Sequence, residues 1–269
     1  MPLTRTGLWK TGLRSLRGAN VPDMDTPRYL TVLRESGTLL ADAAEDRPHA
    51  HVPTCPEWNV ADLVWHVGET HHFWRSIATG EIKDPDDGYV QPERPKDEDL
   101  LPWYREGLAE TLTVLTELDP EEPRWTWAPQ KDGAFIQRRM AHETAVHAWD
   151  VLNAIGSRAP LPADVAADGV DEFLSFFLGL AEMLGLPRES VGPVGTVLLS
   201  ATDTGHVWSV DHTGQHWRVS RSETRASTAV EGTASDLLLA LWRRIGTEGL
   251  SITGDEEAFA RFLRAAETE

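Results

Sequence analysis

Four stretches of helical periodicity in the first half of the chain constrain its fold more than any other feature. Loops that contain proline or glycine separate these stretches, and the predicted helices cover about 26–46, 59–79, 100–118 and 134–155. Helices of about 20 residues joined in this way are typical of antiparallel bundles. We therefore predict an antiparallel four-helix bundle over residues 24–157, with the polar segment 81–98 as a long loop that covers one end.

Two of the predicted helices carry specific signals at their starts. Thr26 followed by Pro27 predicts an N-cap and a proline at the first helical position. Asn59, with Asp62 three residues later, predicts a capped start for the second helix.

The second half of the chain changes character after Pro160 and Pro162. A predicted helix at about 163–184 leads into short segments in which apolar and polar residues alternate, which is typical of strands. The predicted strands are 195–201, 205–211, 215–221, 227–231 and a short one near 250–252, and the later helices are Leu237–Ile245, capped by Ser235, and 255–266. We predict a smaller α+β domain over residues 158–269 with a mainly antiparallel sheet, so the fold class of the whole chain is α+β.

Charge and cysteine content narrow the class of partner. The chain has 25 Lys and Arg residues against 43 Asp and Glu residues, a net charge of −18. This deficit of positive charge argues against nucleic acid or an anionic membrane as the main partner and favours small molecules. The single cysteine, Cys55, excludes an internal disulfide framework and a CxxC motif, so we expect a cytoplasmic protein. Residues 1–23 are basic and lack a continuous apolar stretch, and we predict that they form a flexible extension.

The fourth predicted helix carries the strongest functional signal. One stripe at steps of three and four residues consists of Ile136, Met140, Glu143, His147, Val151 and Ala154. Apolar residues at its outer positions direct this stripe towards the bundle core. Glu143 and His147, one turn apart in its middle, would be costly to bury without compensation. A metal ion compensates both groups, because imidazole and carboxylate are ordinary ligands of zinc and similar ions.

The second predicted helix supplies a third ligand, His66, in the middle of a mostly apolar stripe. The segment HETAVH is not an HExxH motif, because His142 and His147 lie five residues apart, about 140° around a helix. We predict a metal site of His66, Glu143 and His147 with a fourth position open to water or substrate. A structural core histidine and a solvated Glu–His pair remain the alternatives.

Six segments together carry a family resemblance. They are PTCPEWNVADLVWHVG (53–68), RRMAHETAVHAWD (138–150), LPADVAADGVDEF, ATDTG, EGTASDLLLALWRR and LSITGD. On these motifs the chain, over residues 26–265, resembles the mycothiol-dependent maleylpyruvate isomerase family, which belongs to the wider DinB-like metal-binding four-helix bundles. The resemblance implies zinc at His66, Glu143 and His147, a C-terminal domain similar to sterol-carrier folds, and mycothiol as co-substrate.

The resemblance also implies a type of reaction. A free thiol has a pKa of about 8.5, and a divalent cation deprotonates it, so mycothiol would attack an electrophilic small molecule. Addition followed by expulsion of the thiol would isomerise a cis enone such as maleylpyruvate. Retention of the thiol would make the protein an S-transferase, and the sequence does not separate the two outcomes.

Three further residues have less specific assignments. Asp150 follows His147 by three residues and would orient its second ring nitrogen, although a plain surface acid fits equally well. Arg139 and Arg244 match arginines of the family's motifs, and Arg139 is predicted to bind the thiol cofactor. Arg244 would bind a carboxylate of the substrate or thiol. The alternative is that Arg244 only interacts favourably with the helix dipole at the C-terminal end of its helix.

Two other classes of function stay open. A binding module would hold a small apolar ligand without chemistry. A metal-dependent hydrolase would use a metal-bound water and would need a general base beside the open position. The sequence leaves open the identity of the electrophile and the choice between a monomer and a homodimer.

Overall fold

The structure, a computed structural model, describes residues 24–178, 194–212 and 217–266. The described residues divide into two compact units, Asp25–Ser157 and the part that begins at Arg158. The segment 1–23, for which the sequence predicts an extension, lies outside the described residues. Among the helices of the described ranges, none has the length and apolar character needed to cross a membrane.

The first unit consists of four long helices, as the sequence predicts. They are α1 Thr26–Glu45, α2 Val60–Ala78, α3 Asp97–Glu117 and α4 Gly133–Ala154. A short 3₁₀ turn, Pro85–Asp87, lies in the long loop between α2 and α3. The core of this unit is mixed aliphatic and aromatic, and its fully buried residues include Leu33, Leu40, Leu63, Tyr104 and Phe135.

The capping prediction is confirmed for α2 and wrong for α1. Asn59 and Asp62 form a reciprocal capping box, in which each side chain accepts the backbone N–H of the other residue at 3.0 Å. The N-cap of α1 is Asp25, not Thr26, because the Asp25 carboxylate accepts the backbone N–H of Arg28 at 3.0 Å. Aspartate is a stronger N-cap than threonine, and the shift leaves Pro27 in the first turn, where its missing N–H costs nothing.

The helices α2 and α3 run in the same direction. In the first half of both helices, Gly68 lies directly against the indole of Trp103. Further along both, Arg75 donates to the backbone oxygen of Gly107 at 3.1 Å. The contact positions therefore advance together along the two helices.

The helices α2 and α4 run in opposite directions. His66, near the start of α2, contacts His147 in the second half of α4, with ring centroids 5.1 Å apart. Trp74, near the end of α2, contacts Phe135 at the start of α4. Together with the parallel α2–α3 pair, this gives two helices in each direction and places the start of α2 beside the C-terminal half of α4.

The long segment between α2 and α3 makes the parallel arrangement possible. The prediction that this segment covers one end of the bundle is wrong, because it runs back along the side of α2, where two side chains hold it. The hydroxyl of Tyr89 donates to Glu69 at 3.0 Å, and the guanidinium of Arg94 donates to Asp62 at 2.6 Å. The next helix, α3, therefore begins at the same end of the bundle as α2.

The second unit contains a mixed sheet with helices around it. Its strands lie in the order β3-β2-β1-β4-β5, and only the pair β1–β4 is parallel, so the sheet is mainly antiparallel as predicted. The strands are β1 Gly195–Ala201, β2 Val207–His212, β3 Trp217–Ser220, β4 Thr228–Gly232 and β5 Ser251–Gly254, and the helices are α5 Ala163–Glu172, α6 Ala234–Leu241 and α7 Glu256–Ala265. The aromatic residues Phe173, Trp208, Phe259 and Phe262 are fully buried in this unit.

Two helices of the second unit differ from prediction. The regular helix α5 ends at Glu172 and continues as a π-helical turn, Phe173–Phe177, and the predicted remainder of that helix enters residues 179–193, outside the described part. Thr233, not Ser235, is the N-cap of α6, since its hydroxyl oxygen accepts the backbone N–H of Asp236 at 3.1 Å. Ser235 lies inside the helix, where its hydroxyl oxygen accepts the backbone N–H of Leu161 at 3.0 Å.

The helix α6 also ends four residues earlier than the predicted Ile245. Arg243 adopts a φ of 55°, in the left-handed region. The N–H of Arg243 donates to the Ala240 oxygen at 3.0 Å, and the N–H of Arg244 donates to the Leu239 oxygen at 2.7 Å. This is a Schellman ending, which usually has glycine at the position that Arg243 occupies.

Candidate metal centre

One face of α4 carries four functional candidates in a row. Arg139, Glu143, His147 and Asp150 follow one another at steps of four, four and three residues, so they share a stripe of the helix. The helix starts at Asp132, whose carboxylate accepts the N–H of Phe135 at 3.0 Å. Arg139, His147 and Asp150 are buried, and the side chain of Glu143 is 19 % exposed. Helical spacing alone therefore brings these polar groups together in the interior.

The three predicted ligands meet at one point between α2 and α4. The Nε2 atom of His66 lies 3.3 Å from Oε1 of Glu143, and the Nε2 atom of His147 lies 3.2 Å from the same oxygen. The three potential ligand atoms all lie within 4.8 Å of one another. The structure thus brings the predicted residues together, and metal binding by them stays a prediction.

The hydrogen bonding of His147 tests whether a cation fits this point. Its Nδ1 lies 2.9 Å from Oδ2 of Asp150, so an ionised Asp150 requires a proton on Nδ1. The neutral ring then directs the lone pair of Nε2 at a carboxylate oxygen, an arrangement that needs either a second proton or a cation between the atoms. Two imidazole nitrogens and one carboxylate oxygen are the donor set of a catalytic zinc site with an open position, so the residues fit a divalent ion.

The electrostatics of the centre favour the charged forms of its groups. Burial by itself raises the pKa of Glu143, but His147, His66 and Arg139 outweigh it and hold that pKa well below the usual range. Burial likewise lowers the pKa of His147, but Glu143 and Asp150 outweigh it and raise that pKa to about 9. Without a metal the pair is therefore ionic at neutral pH, and a cation bound at this point would replace the proton on Nε2.

Arg139 contacts a predicted ligand directly. Its Nη2 donates to Oε2 of Glu143 at 2.9 Å, and its side chain is 5 % exposed. The contact occupies the carboxylate oxygen that does not face the histidines, so Oε1 is the oxygen that would bind a metal. A role of Arg139 in binding the thiol cofactor stays a prediction, whereas its contact with Glu143 was not expected.

Asp150 is fully buried, which excludes the alternative of a plain surface acid. Its Oδ2 accepts from His147, and its Oδ1 accepts the hydroxyl of Thr54 at 2.7 Å. This is the geometry expected of a residue that fixes the tautomer and orientation of a histidine ligand. Thr54 lies in the loop before α2, and sequence reasoning missed it because helical periodicity says nothing about a loop.

Trp58 is a second neighbour that sequence reasoning missed. Its ring centroid lies 4.8 Å from that of His66, with 45° between the planes. The PTCPEW segment, which contributes to the family resemblance, contains both Thr54 and Trp58. That segment was the available signal, although it gave no indication of which residue each side chain contacts.

Two other buried histidines of the bundle do not join the three predicted ligands. His142 is buried against Tyr29 of α1, with ring centroids 6.1 Å apart, so it does not share a ligand face with His147. His71 is buried between α3 and α4, where its ring stacks on that of Tyr104 at 5.8 Å between centroids and its Nε2 lies 2.8 Å from the hydroxyl oxygen of Thr144. Burial lowers the pKa of His71 to about 4, so this ring is neutral at physiological pH.

Arg244 belongs to the second unit, just after α6. Its Nη1 donates to the backbone oxygen of Trp242 at 2.9 Å, and the residue is half-buried. The neighbouring Arg243 is exposed, and its Nη2 donates to the backbone oxygen of Leu263. Of these two arginines Arg244 is the less exposed, and its role in binding a carboxylate stays a prediction.

Comparison with known proteins identifies the family. The model of the mycothiol maleylpyruvate isomerase N-terminal domain matches residues 30–152, and that of the MDMPI C-terminal domain matches residues 164–261. A comparison with curated proteins finds no match. Among solved structures, that of the mycothiol-dependent maleylpyruvate isomerase has a TM-score of 0.60 and 13% identity, with 86% of this chain and 94% of that chain covered. A histidine-to-alanine mutant of that isomerase gives the same values, and at this identity the likeness shows the fold. Since the two family models together span most of the sequence, the chain belongs to the mycothiol maleylpyruvate isomerase family.

Proposed function

We propose that this protein is a metal-dependent, mycothiol-dependent enzyme that directs a thiol at an electrophilic small molecule in the cytoplasm. The observation that carries the proposal is the convergence of His66, Glu143 and His147, whose ligand atoms lie within 4.8 Å of one another, in a chain of this family. Zinc is the ion that this donor set suits best. A divalent ion bound there would supply the means of converting a thiol into a thiolate at neutral pH.

The residues around the ligands hold the centre and leave one side open. Asp150 keeps the proton of His147 on Nδ1, which leaves Nε2 to act as a ligand. Arg139 offsets the charge of Glu143 and limits that carboxylate to one ligand oxygen. The side chain of His66 is 34% exposed, against 9% for His147. Thiol and electrophile therefore reach the centre from the side of His66.

The fate of the electrophile decides between isomerase and S-transferase. In a cis enone such as maleylpyruvate, the thiolate sulfur forms a bond to the alkene carbon and the π electrons move to the carbonyl oxygen. The former double bond then rotates, the electrons return, and the C–S bond breaks to give the trans isomer and the free thiolate. Where the electrophile has a leaving group, the bond to that group breaks, the group departs with the electron pair, and the C–S bond stays in a conjugate. Both reactions make the same demand on the centre.

A hydrolase is a weaker candidate for this centre. Hydrolysis needs a carboxylate or similar base near the open position. Among the described residues in contact with the three ligands, the other carboxylate is that of Asp150, which is fully buried and already accepts from His147 and Thr54. It is therefore poorly placed to take a proton from a water molecule.

Metal content tests the proposal directly. We expect near-stoichiometric zinc in the purified protein, measured by plasma mass spectrometry, and little metal in His66→Ala and His147→Ala with the helical circular dichroism unchanged. His72→Ala is the matched control, because His72 lies on the same helix as His66 and contacts Tyr89 instead of the centre. Absence of metal from the unaltered protein, with no uptake on titration, would refute the metal-dependent mechanism.

Turnover then separates the outcomes of the reaction. With maleylpyruvate and mycothiol, an isomerase yields the trans product and unchanged thiol, whereas a transferase yields a conjugate visible by mass spectrometry. Either activity should disappear when a chelator removes the metal and return when zinc is restored. Ligand binding without turnover by the zinc-loaded protein would identify a binding module instead.

A further inference from the structure

The loop between α1 and α2 contacts His66 directly and reaches His147 through Asp150, although it supplies no predicted ligand itself. We call residues Val52–Trp58 the bracing loop. The loop lies at the end of the bundle where α2 starts, beside the C-terminal half of α4. At this position, side chains of one short loop can reach both His66 and Asp150, the hydrogen-bond partner of His147.

The bracing loop is closed by its own backbone hydrogen bonds. The N–H of Val52 donates to the Trp58 oxygen at 3.0 Å, and the N–H of Trp58 donates to the Cys55 oxygen at 2.8 Å. Val52 is fully buried, and the capping box of Asn59 begins α2 directly after the loop. These hydrogen bonds restrict the backbone rotations of the loop. They therefore fix the direction in which each side chain leaves the backbone.

One contact of the loop reaches His147 through Asp150. The hydroxyl of Thr54 donates to Oδ1 of Asp150 at 2.7 Å, and Oδ2 of the same carboxylate lies 2.9 Å from Nδ1 of His147. Asp150 is fully buried, so Oδ1 has no solvent to replace the hydroxyl. The Thr54 hydroxyl therefore fixes the plane of the carboxylate that orients the ligand ring.

The other contact of the loop is made by Trp58, whose half-buried indole lies against the His66 ring at 4.8 Å between centroids. His66 is the most exposed of the three predicted ligands, and its Nε2 lies 3.3 Å from Oε1 of Glu143. The indole limits the rotation of the ring about its χ2 angle, which determines where Nε2 points.

We propose that the bracing loop is the device that sets the geometry of the metal centre, with Thr54 as its main positioning residue. The inference rests on the proposed function, since it assigns the loop a role towards the predicted ion. Outer partners of metal ligands typically contribute 10–100-fold in metal affinity. Because Thr54 acts through Asp150, we expect the lower end of that range.

Cobalt binding tests the proposal without any need for turnover. The metal-free protein and its Thr54→Val variant are titrated with Co²⁺ against a chelating indicator, and the visible spectrum of bound Co²⁺ is recorded. We expect about tenfold weaker binding and an altered visible band for Thr54→Val, and recovery of both in Thr54→Ser. Thr113→Val is the control, since the Thr113 hydroxyl donates to the backbone oxygen of Ala109 at 2.9 Å on the exposed face of α3. This variant should bind Co²⁺ as the unaltered protein does.

The outcomes separate this inference from the proposed function. Unaltered affinity and spectrum in Thr54→Val would overturn the inference alone, because the centre would bind metal without the loop. Failure of the unaltered protein to bind Co²⁺ or Zn²⁺ would overturn both. If Thr54→Val does not fold, Trp58→Leu at the half-buried end of the loop provides the test, and an unchanged Co²⁺ spectrum there would also refute the inference.

Discussion

Arg139 donates from Nη2 to Oε2 of Glu143 at 2.9 Å, while the other oxygen of the same carboxylate faces both His66 and His147. Glu143 therefore divides its two oxygens between a permanent cation and the predicted metal. Removal of the guanidinium should strengthen the carboxylate as a ligand and, when no metal is bound, remove the cation paired with Oε2, so that protonated His147 at Oε1 compensates the charge without Arg139.

Arg139→Met is the variant that tests this division of the carboxylate. We expect metal to bind about tenfold more tightly, because both oxygens become available, and the metal-free protein to lose about 1–3 kcal/mol of unfolding free energy. Chelator competition and urea unfolding in the presence of EDTA measure the two effects. Weaker metal binding in this variant would mean that Arg139 orients Glu143 more than it competes for it.

His71 should make the bundle sensitive to mild acid. Burial lowers its pKa to about 4, whereas an unfolded histidine titrates near 6.5, so the unfolded chain binds the extra proton first. Stability from this residue is fully present above pH 6.5 and falls as the pH drops from 6.5 to 4, by at most about 1.4 kcal/mol per pH unit. His71→Gln, which can still bond Thr144, should remove this part of the slope in urea unfolding between pH 4 and 7. Equal slopes in the two proteins would show that His71 does not report on acid unfolding.

Gly68 and Gly107 should respond to alanine in opposite directions. A Cβ at Gly68 would overlap the rigid indole of Trp103, and we expect a loss of about 1–3 kcal/mol. A Cβ at Gly107 would meet only the Arg75 guanidinium at 3.8 Å, and helix propensity should then add about 0.5–1 kcal/mol. Urea unfolding of both variants gives the comparison, and a stabilised Gly68→Ala would mean that Trp103 moves aside freely.

Arg243 should be replaceable by glycine but not by valine. Its φ of 55° is strained for a residue with a side chain, by about 1–2 kcal/mol. Arg243→Gly should keep or raise the melting temperature despite the lost bond to the Leu263 oxygen, whereas Arg243→Val should lower it. If the glycine variant melts below the valine variant, the arginine side chain contributes more than the backbone strain.

The helical part of the candidate site could be predicted because its signals are local. Glu143 and His147 are one helical turn apart, so they share a face whatever that face packs against. Burial of two such polar groups is costly unless a partner or an ion offsets the lost hydration. The same arithmetic correctly separates His142, which lies against Tyr29. Among the caps, Asn59 was predicted correctly, whereas the predictions Thr26 and Ser235 lie one and two residues beyond the observed caps, Asp25 and Thr233.

The remainder depends on contacts between distant parts of the chain. Thr54 reaches Asp150 across 96 positions of sequence, and no periodicity encodes that meeting. The parallel pairing of β1 with β4 depends likewise on a crossover, although the strands themselves alternate clearly. The π-helical turn at Phe173–Phe177 adds one residue to a turn without any local marker.

The even spacing along α4 has a consequence for how chains of this kind can change over evolutionary time. One residue inserted between Glu143 and His147 would rotate everything beyond it by about 100°, which would carry His147 and Asp150 away from the ligand point together. The long segment between α2 and α3, here called the crossover, is different. Tyr89 and Arg94 bind it to α2, and the residues between these two contacts contribute no predicted ligand. Natural variation in length should therefore accumulate in the crossover, while α4 keeps the same number of residues between its ligands.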